Sequence, residues 1–300
     1  MVESRHYDLS VIIPSVNGWQ DLKGALEALR AQDGGFKVQS VVVDRLGEEL
    51  QEKVRREFPE ATLVAVPRTM TIPEMRIRGF AAAEAPVVGV IEDHVLVPPD
   101  WTKRMLAAHA EGAQVVGGSV VNAASERLVD RAAFLCEYSH CLKPPAGNAE
   151  WLTGNNVTYR REILNQFRDT IAEGRWEDRL HAAIRGAGIP LLSEPEISVR
   201  HKKHYTVGEY LYQRYVYARA YAGIRLQGEP AGRRMVYGLA AFALPALISF
   251  RILKRARAAQ VRMSALLEAT PLLVLFVSAW GVGEVIGYWR GPGNALREVC

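Results

Sequence analysis

Glu92, Asp93 and His94 put two carboxylates and an imidazole in consecutive positions, directly after the apolar run Val87 to Ile91. Such a run, entered through Pro86 and rich in β-branched residues, reads as a strand covered on both faces, so the polar triplet falls at a sheet edge. In open α/β sheets that edge is where ligands sit. The triplet is therefore placed to meet a ligand, although alone it also reads as an exposed acidic turn with a solvated histidine. Other polar stretches share this kind of position. "PSVNG" follows the first apolar run, "VVVDRLGE" follows the second, and "WEDRL" comes further on. Taken singly, Asp44 is also a turn-forming residue after a strand and Asp178 also a helix N-cap.

The elements that must position these groups show as alternating periods. Leu9 to Pro14, Val38 to Asp44, Ala61 to Val66 and Val87 to Ile91 read as strands. Between them, Trp19 to Ala31, Glu48 to Phe58 and Pro73 to Glu84 read as helices, the first with Leu22, Ala25, Leu26 and Leu29 on one face. Strand and helix alternating at steps of about 25 residues mean βαβ units and a mostly parallel sheet. A helix over Pro99 to Glu111, a strand over Gln114 to Val121 and an amphipathic helix over Ser125 to Cys141 follow. After the "KPPAGN" break come a helix near Asp178 to Gly186, a strand ending at His201 and an aromatic-rich helix over Tyr205 to Leu226. This divides the chain into an α/β domain over 1–204, a connecting helix over 205–232 and an apolar, basic region over 233–300.

The chain has 300 residues, 49% apolar and 23% charged, which is ordinary for a packed globular protein. Its net charge of +4 is uneven: residues 233–300 carry nine Lys/Arg against three Glu, and the remainder is slightly acidic. No basic stripe with aromatic or groove-reading elements marks a nucleic-acid footprint. Cys136, Cys141 and Cys300 form an odd set without metal-type pairing, which points to a reducing compartment and no disulfide framework. "MVESRHYDLSVIIP" moves from polar residues straight into a strand, so no signal peptide is expected ahead of the domain.

In order and spacing, "PSVNG", "VVVDRLGE", "IEDH", "TGNNVTYRRE" and "WEDRL" resemble the family 2 glycosyltransferases of the bacterial membrane-associated type, over about residues 8–201. These are inverting enzymes with the GT-A nucleotide-sugar fold. The resemblance implies that Pro14, Val16 and Asn17 line the base and ribose and that Asp44 accepts a hydrogen bond there. Asp93, with Arg76 from "PEMRIRGFAAAEA", would lie near the nucleotide or its diphosphate, Arg78 being the alternative. Enzymes of this fold usually hold a divalent ion on a D-x-D motif; here Glu92 and His94 stand where the outer aspartates would be. A carboxylate and an imidazole suit Mn²⁺, whereas Mg²⁺ prefers all-oxygen ligands. His201 matches a histidine that approaches the metal or diphosphate, with His204 as the alternative. Asp178 would be the general base of a single displacement, supported by Glu177. Gly154, Asn155 and Asn156 match the "GNN" loop beside the donor sugar and acceptor.

The tail implies a membrane. Met235 to Phe250 would be about 24 Å long as a helix, short of a hydrocarbon core of roughly 30 Å, and Ala269 to Gly283 is similar. A spanning hairpin would put the basic connector "RILKRARAAQVR" outside, against the positive-inside tendency. In-plane or re-entrant helices avoid both difficulties, with a spanning hairpin and a soluble helical subdomain as alternatives. The expected function is metal-dependent transfer of a sugar from a nucleotide-diphosphate sugar, UDP foremost, to a glycan or polyprenyl-linked acceptor of polysaccharide biosynthesis. The site would lie at the cytoplasmic face of the membrane. A catalytically inactive assembly scaffold and a sugar nucleotidyltransferase are the competing readings.

Overall fold

The computed structural model describes residues 6–298, which fold as two compact units. The first comprises the chain up to Val121 together with Pro144–Lys202; the second comprises Asn122–Lys143 together with the chain from Lys203 onward. The amphipathic helix expected inside the α/β domain and the expected connecting helix thus both belong to the C-terminal unit. Neither can bury its apolar face alone, and each finds its partners among the tail helices.

The first unit is an α/β layer structure. Its strands are β1 (Leu9–Ser15), β2 (Val38–Asp44), β3 (Thr62–Ala65), β4 (Val87–Val90), β5 (Val95–Leu96), β6 (Val115–Asn122), β7 (Gly147–Ala149), β8 (Val157–Arg160) and β9 (Leu191–His201). Its helices are α1 (Trp19–Arg30), α2 (Glu48–Glu57), α3 (Ile72–Ala82), α4 (Trp101–Ala110), α6 (Arg161–Gln166), α7 (Arg168–Ala172) and α8 (Glu177–Gly186); α5 (Leu128–Tyr138) lies in the other unit. The strand order is β3-β2-β1-β4-β8-β6-β9-β5, with β7 beside β9. β3, β2, β1 and β4 are parallel, as the alternating periods predict, while β8 runs antiparallel to both β4 and β6. β5 and β7 are too short to show in the sequence pattern.

Every residue of β1 and β4 is buried, and Ile12, Val41, Val43, Val88, Val90 and Val157 form the heart of the core. Covering such a sheet takes helices that fit closely. α1 buries Leu22, Ala25, Leu26 and Leu29, one stripe at helical spacing. α3 starts at a capping box, in which Thr71 and Glu74 satisfy each other's backbone N–H groups, and includes Pro73 in its first turn. A Cβ at Gly79 would overlap Ile12, so glycine is what lets α3 lie against β1. β1 has β2 on one side and β4 on the other. The connections diverge there, and the crevice at the carboxyl ends of β1 and β4 is the topological switch point where ligands bind in such sheets.

The second unit is helical: α5, α9 (Val207–Arg225), α10 (Ala231–Ala240), a 3₁₀ turn at Ala241–Ala243, α11 (Leu244–Ala258), α12 (Met263–Arg290) and α13 (Ala295–Glu298). Ala132, Leu135, Tyr210, Ile252, Ala256, Leu273 and Phe276 make its core. Ala231–Ala258 and Met263–Arg290 are each 28 residues long, and the most apolar 18 residues of each have a mean hydropathy of 1.8, which makes both long and apolar enough to cross a membrane. This corrects the expected lengths. At about 1.5 Å per residue each is some 42 Å, because flanking Gly, Ser and polar residues continue the helix past the apolar run. Pro245 does not interrupt the first, since it sits in the opening turn of α11, where a missing N–H costs nothing. Cys136 and Cys141 are free thiols; Cys300 lies outside the described residues.

Candidate active site

The switch-point crevice is built around Asp93. Its side chain is fully buried, and its Oδ2 accepts hydrogen bonds from the backbone N–H groups of Val16 and Asn17, both at 2.8 Å. Asn17 Nδ2 donates to Oδ1 at 2.6 Å. The carboxylate thus ties the "PSVNG" loop after β1 to the triplet after β4. Burial works to raise the Asp93 pKa, but the bonds from His94, Asn17 and Val16 prevail and hold it below the usual carboxylate range. Asp93, expected near the nucleotide, has its oxygens on the loop that carries Val16 and Asn17.

Asp93 also sets the state of His94. His94 Nδ1 lies 2.9 Å from Asp93 Oδ1, which as an ionised carboxylate can only accept, and 3.1 Å from Asn17 Nδ2; the closer, charged partner favours the proton on Nδ1. Nε2 is then left as a lone pair, the arrangement of a metal-ligating histidine oriented by a carboxylate. Nε2 is 3.4 Å from Glu92 Oε2 and 2.9 Å from His201 Nε2. His201 arrives through the antiparallel β5–β9 ladder, in which Val95 faces it, so the residue after His94 fixes the second imidazole beside the first. The ligand atoms of Glu92, His94 and His201 all lie within 4.8 Å of one another, and both histidines are buried. One carboxylate oxygen and two imidazole nitrogens fit Mn²⁺ or a similar transition ion. Of the two candidate histidines, His201 joins this cluster; His204 belongs to the helical unit, where its Nδ1 pairs with Asp130 Oδ2 at 2.8 Å.

A second cluster forms where α8 begins. Arg76 Nη1 pairs with Glu177 Oε2 at 2.6 Å, Nη2 donates to the Gly154 carbonyl at 3.2 Å, and the guanidinium lies 5.8 Å from the Trp176 ring centre. A Cβ at Gly154 would come within 2.5 Å of the Glu177 carboxylate, which explains the glycine. Burial pushes the Glu177 pKa up, but the adjoining Arg76 charge outweighs it and keeps the group ionised below its ordinary range. Arg76, expected near the nucleotide or its diphosphate, pairs here with Glu177 and the Gly154 carbonyl, while Arg78 is exposed. Asp178 is half-buried, and its Oδ1 accepts from the backbone N–H of Arg179 at 2.9 Å.

The "GNN" loop joins the clusters. Asn155 Nδ2 donates to Glu92 Oε2 at 3.1 Å, and its Oδ1 accepts from Thr153. Asn156 is different. It is fully buried, takes a bond from Trp101 Nε1 at 2.9 Å and donates to the Ser119 and Ile197 carbonyls, which makes it a strut of the sheet rather than a sugar contact. Asp44 follows the turn-forming reading: fully buried, it accepts from Leu46 N, Gly47 N and Gln51 Nε2. Pro14 lies in β1 opposite Val43, just before that loop. Sequence reasoning missed His181, which is buried, shares a 2.8 Å bond with Tyr159 and has its pKa lowered by burial to about 4. Its signal was available: "EDRLH" places it one helical turn after Glu177.

A sheet of this kind with a polar cluster at its switch point is the arrangement of the GT-A glycosyltransferases, and two solved structures share the fold. A mannosyltransferase from Pyrobaculum calidifontis, in complex with GDP-Man and Mn²⁺, is 18% identical over 90% of this chain and 74% of its own, with a TM-score of 0.51. TarS residues 1–349 from S. aureus is 14% identical over 93% and 90%, also with a TM-score of 0.51. Residues 10–168 match the model of glycosyl transferase family 2, and the chain belongs to that family. No curated protein matches it in sequence.

Proposed function

We propose that this member of the family is an inverting, divalent-metal-dependent transferase that moves a sugar from a nucleotide-diphosphate sugar, UDP-linked foremost, to a membrane-associated glycan or polyprenyl-linked acceptor. The observation that carries this reading is the convergence of Glu92, His94 and His201 at the switch point, with Asp93 fixing the His94 tautomer. The altered triplet still supplies two ligands, Glu92 and His94, and His201 from β9 adds a third, which favours an active enzyme over an inactive scaffold. A bound ion supplies positive charge for the departing diphosphate. The chain's own groups do the rest. The loop Val16–Asn17, held by Asp93, borders the nucleotide side of the crevice. Asp178 takes the acceptor hydroxyl's proton, and Glu177, locked to Arg76, holds the start of α8 in place. The mannosyltransferase with GDP-Man and Mn²⁺ shows that this fold accommodates such a donor and ion.

Membrane association rests on the two long apolar helices, of which only 17% and 33% of the most apolar window is buried. Val236, Leu239, Phe242 and Phe250 are exposed along the first, and Leu267, Val274 and Val282 along the second. Lying in the plane of a cytoplasmic leaflet, these helices would bring the basic connector onto anionic headgroups. Thermal unfolding with UDP, GDP, dTDP or CMP, each with and without Mn²⁺, tests the donor reading. A nucleoside diphosphate at about 100 times its Kd stabilises by roughly 2.7 kcal/mol, and here it should do so only with the ion. No response to any of the four in the presence of Mn²⁺ would remove the nucleotide-sugar donor from the account.

A further inference from the structure

The helical unit contains a cavity of about 480 Å³, within the size range of small-ligand sites. Residues of five helices line it. α9 contributes Arg214, Tyr221 and Arg225, which share a face at spacings of seven and four. α12 contributes Trp280, Glu284 and Tyr288, each one turn apart. The α10–α11 stretch contributes Tyr237, Leu244 and Arg251, and α5 contributes Glu137. Of the three arginines that line it, Arg214 is buried, while Arg225 and Arg251 reach solvent at its mouth. Together they put three planar cations beside the two most apolar helical stretches of the chain.

The arginines retain donor capacity. Arg214 is 4% exposed; its Nη2 lies 3.1 Å from Glu137 Oε1 and its guanidinium packs over the Tyr210, Tyr217 and Trp280 rings, while Nε makes no hydrogen bond. Arg225 donates to the Tyr288 hydroxyl at 2.9 Å, a neutral partner. Among the described residues no carboxylate lies within 4.0 Å of Arg225 or Arg251. Of the two cavity carboxylates, Glu137 faces Arg214 and Glu284 accepts from Trp280 Nε1 at 2.8 Å. The cavity is therefore cationic on balance, with planar donor forks suited to phosphate oxygens. Leu244, Ile248 and Val277 line it, and the same α10–α11 stretch carries exposed Leu239, Phe242 and Leu247, apolar surface that an alkyl chain would cover.

We propose that this cavity binds the phosphoryl headgroup of an anionic amphiphile, with Arg214, Arg225 and Arg251 on the phosphate and the chains along α10–α11. The inference does not rest on the transferase reading, because every lining residue belongs to the helical unit. The test uses the full-length protein in an uncharged detergent, with thermal unfolding and native mass spectrometry read against added phosphatidylglycerol, phosphatidylcholine or inorganic phosphate. Phosphatidylglycerol should raise the Tm and leave a retained adduct, phosphatidylcholine should do so less, and phosphate should compete. R225Q and R251Q, both at exposed positions, should each weaken the lipid's apparent affinity about ten-fold. The variant K254Q/R255Q, on the connector outside the cavity, should leave it unchanged. Equal responses in wild type, R225Q and R251Q, or loss of the response in K254Q/R255Q alone, would overturn the proposal. A response to phosphate with none to phosphatidylglycerol would overturn the amphiphile assignment.

Discussion

Replacing Glu177 by Gln keeps the side chain's size but leaves the Arg76 guanidinium buried without its counter-charge. The Arg76 and Glu177 side chains are 9% and 17% exposed, so solvent cannot compensate. Breaking a buried pair by removing one partner costs about 3–5 kcal/mol, and the residual exposure favours the lower end, about 3. For a unit of this size, with roughly 2–4 °C of Tm per kcal/mol, the loss is about 6–12 °C. The pH dependence has a definite sign. The Glu177 pKa is lower in the folded state than its ordinary 4.5, so the unfolded chain binds the proton more readily. Stability from the pair is then fully present above about pH 4.5 and is lost as pH falls through the folded value. The gap between wild type and E177Q should accordingly be constant from pH 5 to 8 and shrink below pH 4.5. Thermal unfolding followed by near-ultraviolet circular dichroism across that range measures it, and the double variant R76M/E177M should recover most of the loss. A gap under about 1 kcal/mol, or one that persists undiminished in acid, would refute the buried-pair account.

Asp178→Asn should lower transfer by roughly 10²- to 10⁴-fold with nucleotide affinity nearly unchanged, as measured by single-turnover transfer beside calorimetry. Asp93→Asn should weaken the ion's affinity about 10- to 100-fold without removing a ligand, since it disturbs the His94 tautomer, and equilibrium Mn²⁺ binding reads this directly. His181 should stay neutral at pH 5, its imidazole proton shift titrating near pH 4 rather than 6.5 in a nuclear magnetic resonance titration. Reversing Lys254, Arg255 and Arg257 to Glu should reduce liposome flotation incompletely, because each basic residue adds on the order of 1 kcal/mol while the apolar faces of α10–α12 add a salt-insensitive part.

Residues with strong periodicity were legible. β2 runs from Val38 to Asp44 as its apolar run predicts, and α1 buries the four residues that its spacing places on one face. The triplet's position at a strand end was legible too, because a doubly buried strand cannot continue into Glu-Asp-His. What each polar side chain does was not. Asp93, Asp44, Asn156 and Arg76 are strong motif residues whose functional groups are spent on internal partners, and only three-dimensional proximity reveals those partners. The unit boundary was hidden for the same reason. α5 is separated from α12 by more than a hundred residues, and nothing in its own amphipathic pattern says whether a sheet or another helix will cover it. A truncation before residue 233 would therefore strip α5 and α9 of their core partners Leu273 and Phe276.

The central claim is that Glu92, His94 and His201 hold one divalent ion. Electron spin echo modulation of the Mn²⁺-loaded protein, with histidine labelled by ¹⁵N, counts coordinated imidazoles directly. Two nitrogens are predicted, falling to one in H94A and in H201A, with Mn²⁺ bound more tightly than Mg²⁺ in the wild type. A spectrum without nitrogen coupling, or one unaltered by both substitutions, would contradict the site.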